Sequence, residues 1–204
     1  MQQIIPLYID LKGDSLVLHN NIAGTAISKL KSNIESGLGC NYTLTTSSSG
    51  KYYLSANTTA GSSLSNTQMA FLNTMNEVMN STSDVSFDVV DHTDTISQNI
   101  YVGDNGRAIG ASATPNKHTL DVDDMDSFGT GGLLTKHGAL AHEIKEGYDI
   151  QAQGLAPNVA HNNGINSENA VNGTTSLGAT LSPSGVITIP LNYTNSTGTL
   201  SSKM

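Results

Sequence analysis

Five consecutive residues, HEIKE at positions 142–146, place a histidine and two glutamates at a spacing that can bind a metal ion. Each residue of an α-helix turns about 100°, so residues four apart lie about 40° apart on one face. His142 and Glu146 would therefore project side by side, whereas Glu143 would point about 100° away. The HExxH arrangement uses this offset, because residues i and i+4 bind the metal while the intervening glutamate polarises a water molecule. We predict that His142 and Glu146 are metal ligands and that Glu143 is a catalytic general base.

A third ligand must come from elsewhere in the chain, because a catalytic zinc ion takes three protein ligands and keeps one position open. Gly154 and Pro157 predict a turn that folds the following helix back against the first, as short connections between helices favour. His161 on that second helix is the candidate ligand. Glu168 lies seven residues later, so we expect it to accept a hydrogen bond from the other ring nitrogen of His161. With zinc as the cofactor, the predicted ligands are His142, Glu146 and His161.

The elements that must hold these residues follow from apolar periodicity and capping signals. Four helices are predicted, from Asn20 or Asn21 to near Gly37, after Ser65, from Leu133 to Gln151 and from Pro157 to Val171. Strands are predicted within 4–18, at 51–55, and at VSFDVV, NIYVG, HTLDV and GVITIPLNY. We therefore expect an α+β fold, in which a small mixed sheet packs against the metal-site helix and one or two backing helices.

Length and charge limit the classes of protein that fit. The 204 residues predict a single domain, with a core at 65–200 and an N-terminal extension of unclear role at 1–60. The formal charge is −8 and Arg107 is the only arginine, so nucleic-acid binding is not expected. No apolar run reaches the roughly 20 residues of a membrane-spanning helix, and no signal peptide is visible. Cys40 is the only cysteine, so no internal disulfide can form.

One segment carries a resemblance to a known family. The resemblance is to zincin-type metallopeptidase domains, which are found as terminal domains of bacterial polymorphic toxins and injected effectors. Their active-site strand, glycine-rich connection and metal helix resemble the segment TLDVDDMDSFGTGGLLTKHGALAHEIKEGYDIQ. The resemblance covers about residues 85–170. It implies a zinc ion, a cleft above an edge strand and hydrolysis of a peptide or protein substrate with Glu143 as general base. Glu146 stands where the common motif has a histidine, so this carboxylate either replaces that ligand or the site binds no metal.

Two other interpretations stay open. The chain could instead be a catalytically inert, zincin-like structural protein, or packaged cargo of a phage or contractile injection particle. Its partner would then be the particle or delivery machine, and it would leave the cell by packaging or by a specialised export system. The neutral, Ser/Thr/Asn-rich composition and the non-standard motif support this alternative. HEIKE could also be no more than a solvated helix face, because Lys145 stands between two glutamates.

Other polar residues give weaker signals. An acidic cluster could hold calcium or end a strand without an ion, and it departs from the EF-hand pattern: Asp121, Asp123, Asp124 and Asp126. Tyr148 and Tyr193 are both candidates for stabilising an oxyanion. Glycines at 129, 131 and 132 suggest a flexible cleft rim. We expect the remaining histidines considered to be structural or incidental: His92, His118 and His137.

Overall fold

Helices and strands are interspersed along the part of the chain that the structure describes. The computed structural model describes residues 16–20, 25–57, 63–90, 118–126, 135–176, 180–181, 187–188, 193–194 and 200–201. The main elements are β1 (Leu16–Asn20), α1 (Ala26–Gly37), β2 (Tyr42–Thr46), β3 (Tyr52–Ala56), α2 (Asn66–Met79), β4 (Val85–Val90), β5 (His118–Asp121), α3 (Val122–Asp126), α4 (Lys136–Gln151) and α5 (Pro157–Asn172). Five short strands follow: β6 (Thr175–Ser176), β7 (Thr180–Leu181), β8 (Ile187–Thr188), β9 (Tyr193–Thr194) and β10 (Leu200–Ser201).

The main sheet is mixed, with five strands in the order β2-β3-β1-β4-β5. β2, β3 and β1 pair antiparallel, whereas β1, β4 and β5 run parallel to one another. The parallel register aligns Leu16 with Val85 and Phe87 with His118. The short strands form a separate three-stranded sheet, β10-β9-β6, and the pair β7-β8. The predicted α+β fold with a small mixed sheet is confirmed.

The inner strand β4 is buried along nearly its whole length, including Asp88 and Val90 on the face opposite Phe87. In β4, Val85, Phe87 and Val89 are fully buried, as expected of a strand that has a parallel neighbour on each side and is covered on both faces. β1 lies between β3 and β4, and its Leu16 and Leu18 belong to the same hydrophobic core as Phe87. Residues 16–57 are thus joined to the later elements by the sheet itself, and the expected boundary near residue 60 does not interrupt it.

Local signals predicted the helices well. Ser65 caps α2 with a full capping box, in which its hydroxyl accepts from the Gln68 amide while the Gln68 side chain accepts from the Ser65 amide. Pro157 starts α5 as predicted. α1 begins at Ala26, later than expected. Within the described ranges, no helix has the length and apolar character needed to cross a lipid bilayer.

Most residues of helix α4 are buried. Leu140 and Ile144 belong to the hydrophobic core. The opposite, polar face is not open to solvent, because α5 packs along it. A Cβ added to Gly164 of α5 would lie 2.7 Å from Cδ2 of His142. This close approach needs a glycine, and it brings α5 against the residues of the metal motif.

Candidate metal centre

Three side-chain atoms converge where α4 and α5 meet. His142 Nε2 lies 3.2 Å from Glu146 Oε2 and 3.1 Å from His161 Nδ1, and His161 Nδ1 lies 3.0 Å from Glu146 Oε2. These atoms form a nearly equilateral triangle. The three residues predicted as ligands are therefore brought together, and they form a group that could hold a metal ion.

The size of the triangle suits a small tetrahedral ion. A zinc ion about 2.0–2.1 Å from each ligand separates neighbouring ligand atoms by about 3.3 Å. The observed separations fall within a few tenths of an ångström of that spacing. Two imidazoles and one carboxylate are also a donor set that catalytic zinc sites use. The residues present therefore fit a zinc ion without rearrangement of the helices.

Each ligand is positioned by simple helix geometry. His142 and Glu146 are one turn apart on α4, so their side chains project from one face. Gly154 adopts a left-handed backbone with φ of 64° in the short connection between the helices. Ala156 then precedes Pro157 as an extended N-cap residue. The chain reverses direction over these residues, and His161, in the second turn of α5, faces the metal motif.

The site is buried and strongly charged. Only 2% of His142, 1% of Glu143 and 8% of Glu146 is exposed to solvent. Burial alone lowers the pKa of His142, but hydrogen bonds with Glu146 and Glu168 and the charge of Glu143 outweigh it and raise that pKa to about 10. Burial likewise raises the pKa of Glu146, but hydrogen bonds from His142 and His161 lower it to about 2. The arrangement therefore favours a positive charge among the carboxylates.

The prediction that Glu168 accepts a hydrogen bond from His161 is wrong, because Glu168 contacts His142 instead. Glu168 Oε2 lies 2.8 Å from Nδ1 of His142, not beside His161. Seven residues are two helical turns, which separate Glu168 from His161 by about 10.5 Å along the axis of α5. Because α5 runs back along α4, this same displacement carries Glu168 towards His142. The prediction assumed that two residues on the same face of a helix lie close together, but two turns separate these residues.

Glu143 lies next to this group. It follows His142 in the chain, and its charge raises the pKa of that imidazole. Its side chain is buried rather than directed into open solvent. These observations place a buried carboxylate near His142, and its function as general base stays a prediction.

Other histidines and the tyrosines mostly serve the packing of the helices. His137 contacts Ser36 Oγ at 3.0 Å and packs against Phe71. His118, buried in β5, meets Phe87 edge-on. The Tyr148 hydroxyl accepts a hydrogen bond from Gln153, and Tyr148 projects about 120° away from His142 around α4. The structure therefore does not place Tyr148 at the metal group.

Some predicted features lie outside what the structure describes. The NIYVG strand, His92 and the glycines at 129, 131 and 132 fall in undescribed ranges. The side chains of Tyr193, Asp121, Asp123 and Asp124 are likewise not described. Asp126 forms an ion pair with Lys136, with 3.1 Å between the charged atoms. Cys40 is exposed.

Sequence reasoning missed a second polar network on α4. Lys145 Nζ lies 3.0 Å from Asp149 Oδ1 and also binds Glu77 of α2. Asn163 of α5 donates to the other oxygen of Asp149 at 2.7 Å. Lys145 is therefore a packing residue that ties α2, α4 and α5 together, not part of a solvated face. Its i,i+4 spacing from Asp149 was the available signal.

Comparison with known proteins leaves the site to be interpreted from its own residues. No protein-family model, curated protein or solved structure matches this chain significantly.

Proposed function

We propose that this protein is a zinc-dependent hydrolase that cleaves peptide bonds, with zinc held by His142, Glu146 and His161 and with Glu143 as general base. The observation that carries the proposal is the convergence of the three donor atoms to mutual separations of 3.0–3.2 Å. In the described part of the chain, the metal-binding group contains three residues and not four. Three protein ligands are typical of catalytic zinc, whereas structural zinc sites are closed by a fourth.

Each residue has a definite task in this reaction. His142, Glu146 and His161 would hold the ion between α4 and α5. A bound zinc ion supplies Lewis acidity, which lowers the pKa of a water molecule to about 7 and polarises a substrate carbonyl. Glu143 would accept the proton of the attacking water and return it to the leaving amine. The buried surroundings of Glu143 strengthen these electrostatic interactions, because the local dielectric is low.

A second candidate function is supported by the enclosure of the site. Glu143 is only 1% exposed, and a general base must reach the water that attacks the substrate. An inert structural or packaged protein of a phage or injection particle needs no such access. In that protein the polar group would only join α4 to α5. The two candidates differ in whether the zinc-loaded protein hydrolyses peptides.

The test combines metal content with hydrolysis by two variants. We expect about one zinc per chain in protein prepared without chelator, and cleavage within a quenched-fluorescence peptide library. Glu143→Gln should keep the zinc but lower kcat/KM by roughly 100-fold or more, because it removes the proton acceptor. His142→Ala should lose both zinc and hydrolysis, because a ligand is removed. Zinc is measured by elemental analysis and turnover by fluorescence.

Glu77→Gln is the matched control, because it neutralises an exposed glutamate on α2 that binds Lys145 rather than the metal group. It should retain both zinc and hydrolysis. Wild-type activity in Glu143→Gln would contradict the proposed general base. Zinc-loaded wild-type protein that cleaves no peptide in the library would favour the inert alternative.

A further inference from the structure

We propose that Glu168 is a positioning residue, which holds the proton of His142 on Nδ1 and so directs Nε2 to the metal, while His161 binds the same ion through Nδ1. The two imidazoles would thus use opposite ring nitrogens. This inference rests on the proposed zinc site, because it assigns the atoms through which that site binds its ion.

The hydrogen bond between Glu168 and His142 fixes the tautomer. Their side chains are 4% and 3% exposed, and 2.8 Å separates Glu168 Oε2 from His142 Nδ1. An ionised carboxylate can only accept hydrogen bonds, so the proton must lie on Nδ1. A neutral imidazole then has its one lone pair on Nε2, the atom that faces Glu146 and His161. Such outer carboxylates orient metal-binding histidines and raise their basicity.

Helix α5 holds the His142 ring from two directions. His161, Gly164 and Glu168 follow one another at i, i+3 and i+7, so they form one stripe along α5. A Cβ at Gly164 would lie 3.0 Å from His142 Nε2, which shows how closely the backbone approaches the ring. One helix therefore supplies a metal ligand, a surface against the imidazole and the acceptor that fixes its tautomer.

The imidazole of His161 faces the metal group with Nδ1, whereas His142 faces it with Nε2. His161 presents Nδ1 to Glu146 Oε2 and to His142 Nε2, at 3.0 and 3.1 Å. Its Nε2 is buried and has no hydrogen-bond partner among the described residues. When Nδ1 binds a metal ion, the proton of the neutral ring lies on Nε2. The structure thus assigns Nε2 coordination to His142 and Nδ1 coordination to His161.

Nitrogen NMR of the wild-type protein tests this assignment directly. Protein labelled with 15N-histidine and loaded with zinc should show a protonated Nδ1 in His142 and a protonated Nε2 in His161. Two rings with the same protonated nitrogen would overturn the mixed assignment. This measurement needs no variant, so it decides the assignment even if changes at Glu168 prevent folding.

Glu168→Gln tests the positioning role, with Glu77→Gln as the charge-matched control. Loss of the carboxylate should weaken zinc affinity by roughly 10- to 100-fold, and it should shift the 15N signals of His142 but not those of His161. The control should keep wild-type affinity and signals. Unchanged affinity and His142 signals in Glu168→Gln would overturn the positioning role and leave the zinc hydrolase intact. A wild-type protein that binds no zinc would overturn both.

Discussion

At the scale of single residues, the polar group poses a problem of charge. Glu143, Glu146 and Glu168 are buried around His142, and buried carboxylates are unfavourable unless they are paired. The raised pKa of His142 and the lowered pKa of Glu146 show that a proton on the imidazole supplies the pairing in the absence of a metal. A divalent cation would meet the same need more fully, because it contacts three ligands at once.

Zinc binding should release a proton, because the metal ion replaces the positive charge of the protonated His142. Because the pKa of His142 is raised to about 10, the metal-free protein holds that proton at pH 7. Zinc must displace the proton on Nε2, while Glu168 retains the proton on Nδ1, so binding should release about one proton per ion. Glu146 contributes none, since its pKa is lowered to about 2. We expect the apparent zinc affinity to rise as the pH rises from 6 to 8.

Titration calorimetry at pH 7 in two buffers of different ionisation enthalpy measures this proton. For one released proton, the observed heat should differ between the buffers by about the difference between their ionisation enthalpies. His137→Gln is the control, because His137 lies on the same helix but contacts Ser36 and Phe71. Heats that do not depend on the buffer would contradict a protonated His142 in the metal-free protein.

The sequence predicted which three side chains come together, but not the partner of Glu168. The pairing of His142 with Glu146 follows from helix periodicity, and the approach of His161 follows from a short turn. The partner of Glu168 could not be read in this way, because it depends on how far α5 is displaced along α4. That displacement is set by packing between helices, on which periodicity within one helix carries no information.

At the scale of elements, the α4–α5 hairpin is held together at both ends. At one end Asn163 binds Asp149. At the other, the Thr135 amide and hydroxyl both donate to Asn172 Oδ1, at 3.1 and 2.7 Å. Gly164 lies between these contacts and lets the two backbones approach. The hairpin therefore behaves as one unit that carries all three candidate ligands.

Gly164→Ala should damage this unit. In an open helix the change would add about 1 kcal/mol of helix stability. Here the new Cβ would lie 2.7 Å from His142 Cδ2 and 3.0 Å from the His142 carbonyl oxygen, so overpacking should cost about 1–3 kcal/mol. We expect a lower midpoint of thermal unfolding and at least tenfold weaker zinc binding, measured by calorimetry.

Asn162→Ala serves as the matched control, because it places alanine on an exposed position of the same helix. It should leave zinc binding unchanged and keep or slightly raise the unfolding midpoint. If Gly164→Ala were as stable as this control and bound zinc as tightly, close packing of α5 on His142 would not matter for the site.

The elements themselves were predictable where their signals are local. The Ser65 capping box and Pro157 fixed the starts of α2 and α5, and VSFDVV, in which apolar residues alternate with Ser86 and Asp88, indicated the strand β4. The pairing of β1 with β4 joins residues far apart in the chain. No local pattern specifies such a pairing, and the family resemblance, which covers about residues 85–170, gave no information on residues 1–60.

At the scale of the whole molecule, a hydrophobic core joins the described helices to the main sheet. The single cysteine excludes an internal disulfide, and the core consists of aliphatic and aromatic side chains between the sheet and the helices. A metal ion would add a tie between α4 and α5, which are the last two helices of the described chain. Binding to the folded state alone must then raise its stability.

Zinc should therefore raise the midpoint of thermal unfolding. Free zinc at 100 times its Kd stabilises a folded protein by about 2.7 kcal/mol, and each kcal/mol raises the midpoint by about 2–4 °C in a chain of this size. We expect an increase of roughly 5–10 °C that excess chelator reverses. His161→Ala should remove the increase, because the ion would no longer join the two helices. His137→Gln should show the same increase with zinc as the wild type, measured from its own metal-free midpoint, because the His137 side chain contacts Ser36 and Phe71 and is not a ligand. An equal increase in His161→Ala would mean that zinc binds elsewhere in the protein. Zinc would then not connect α4 to α5.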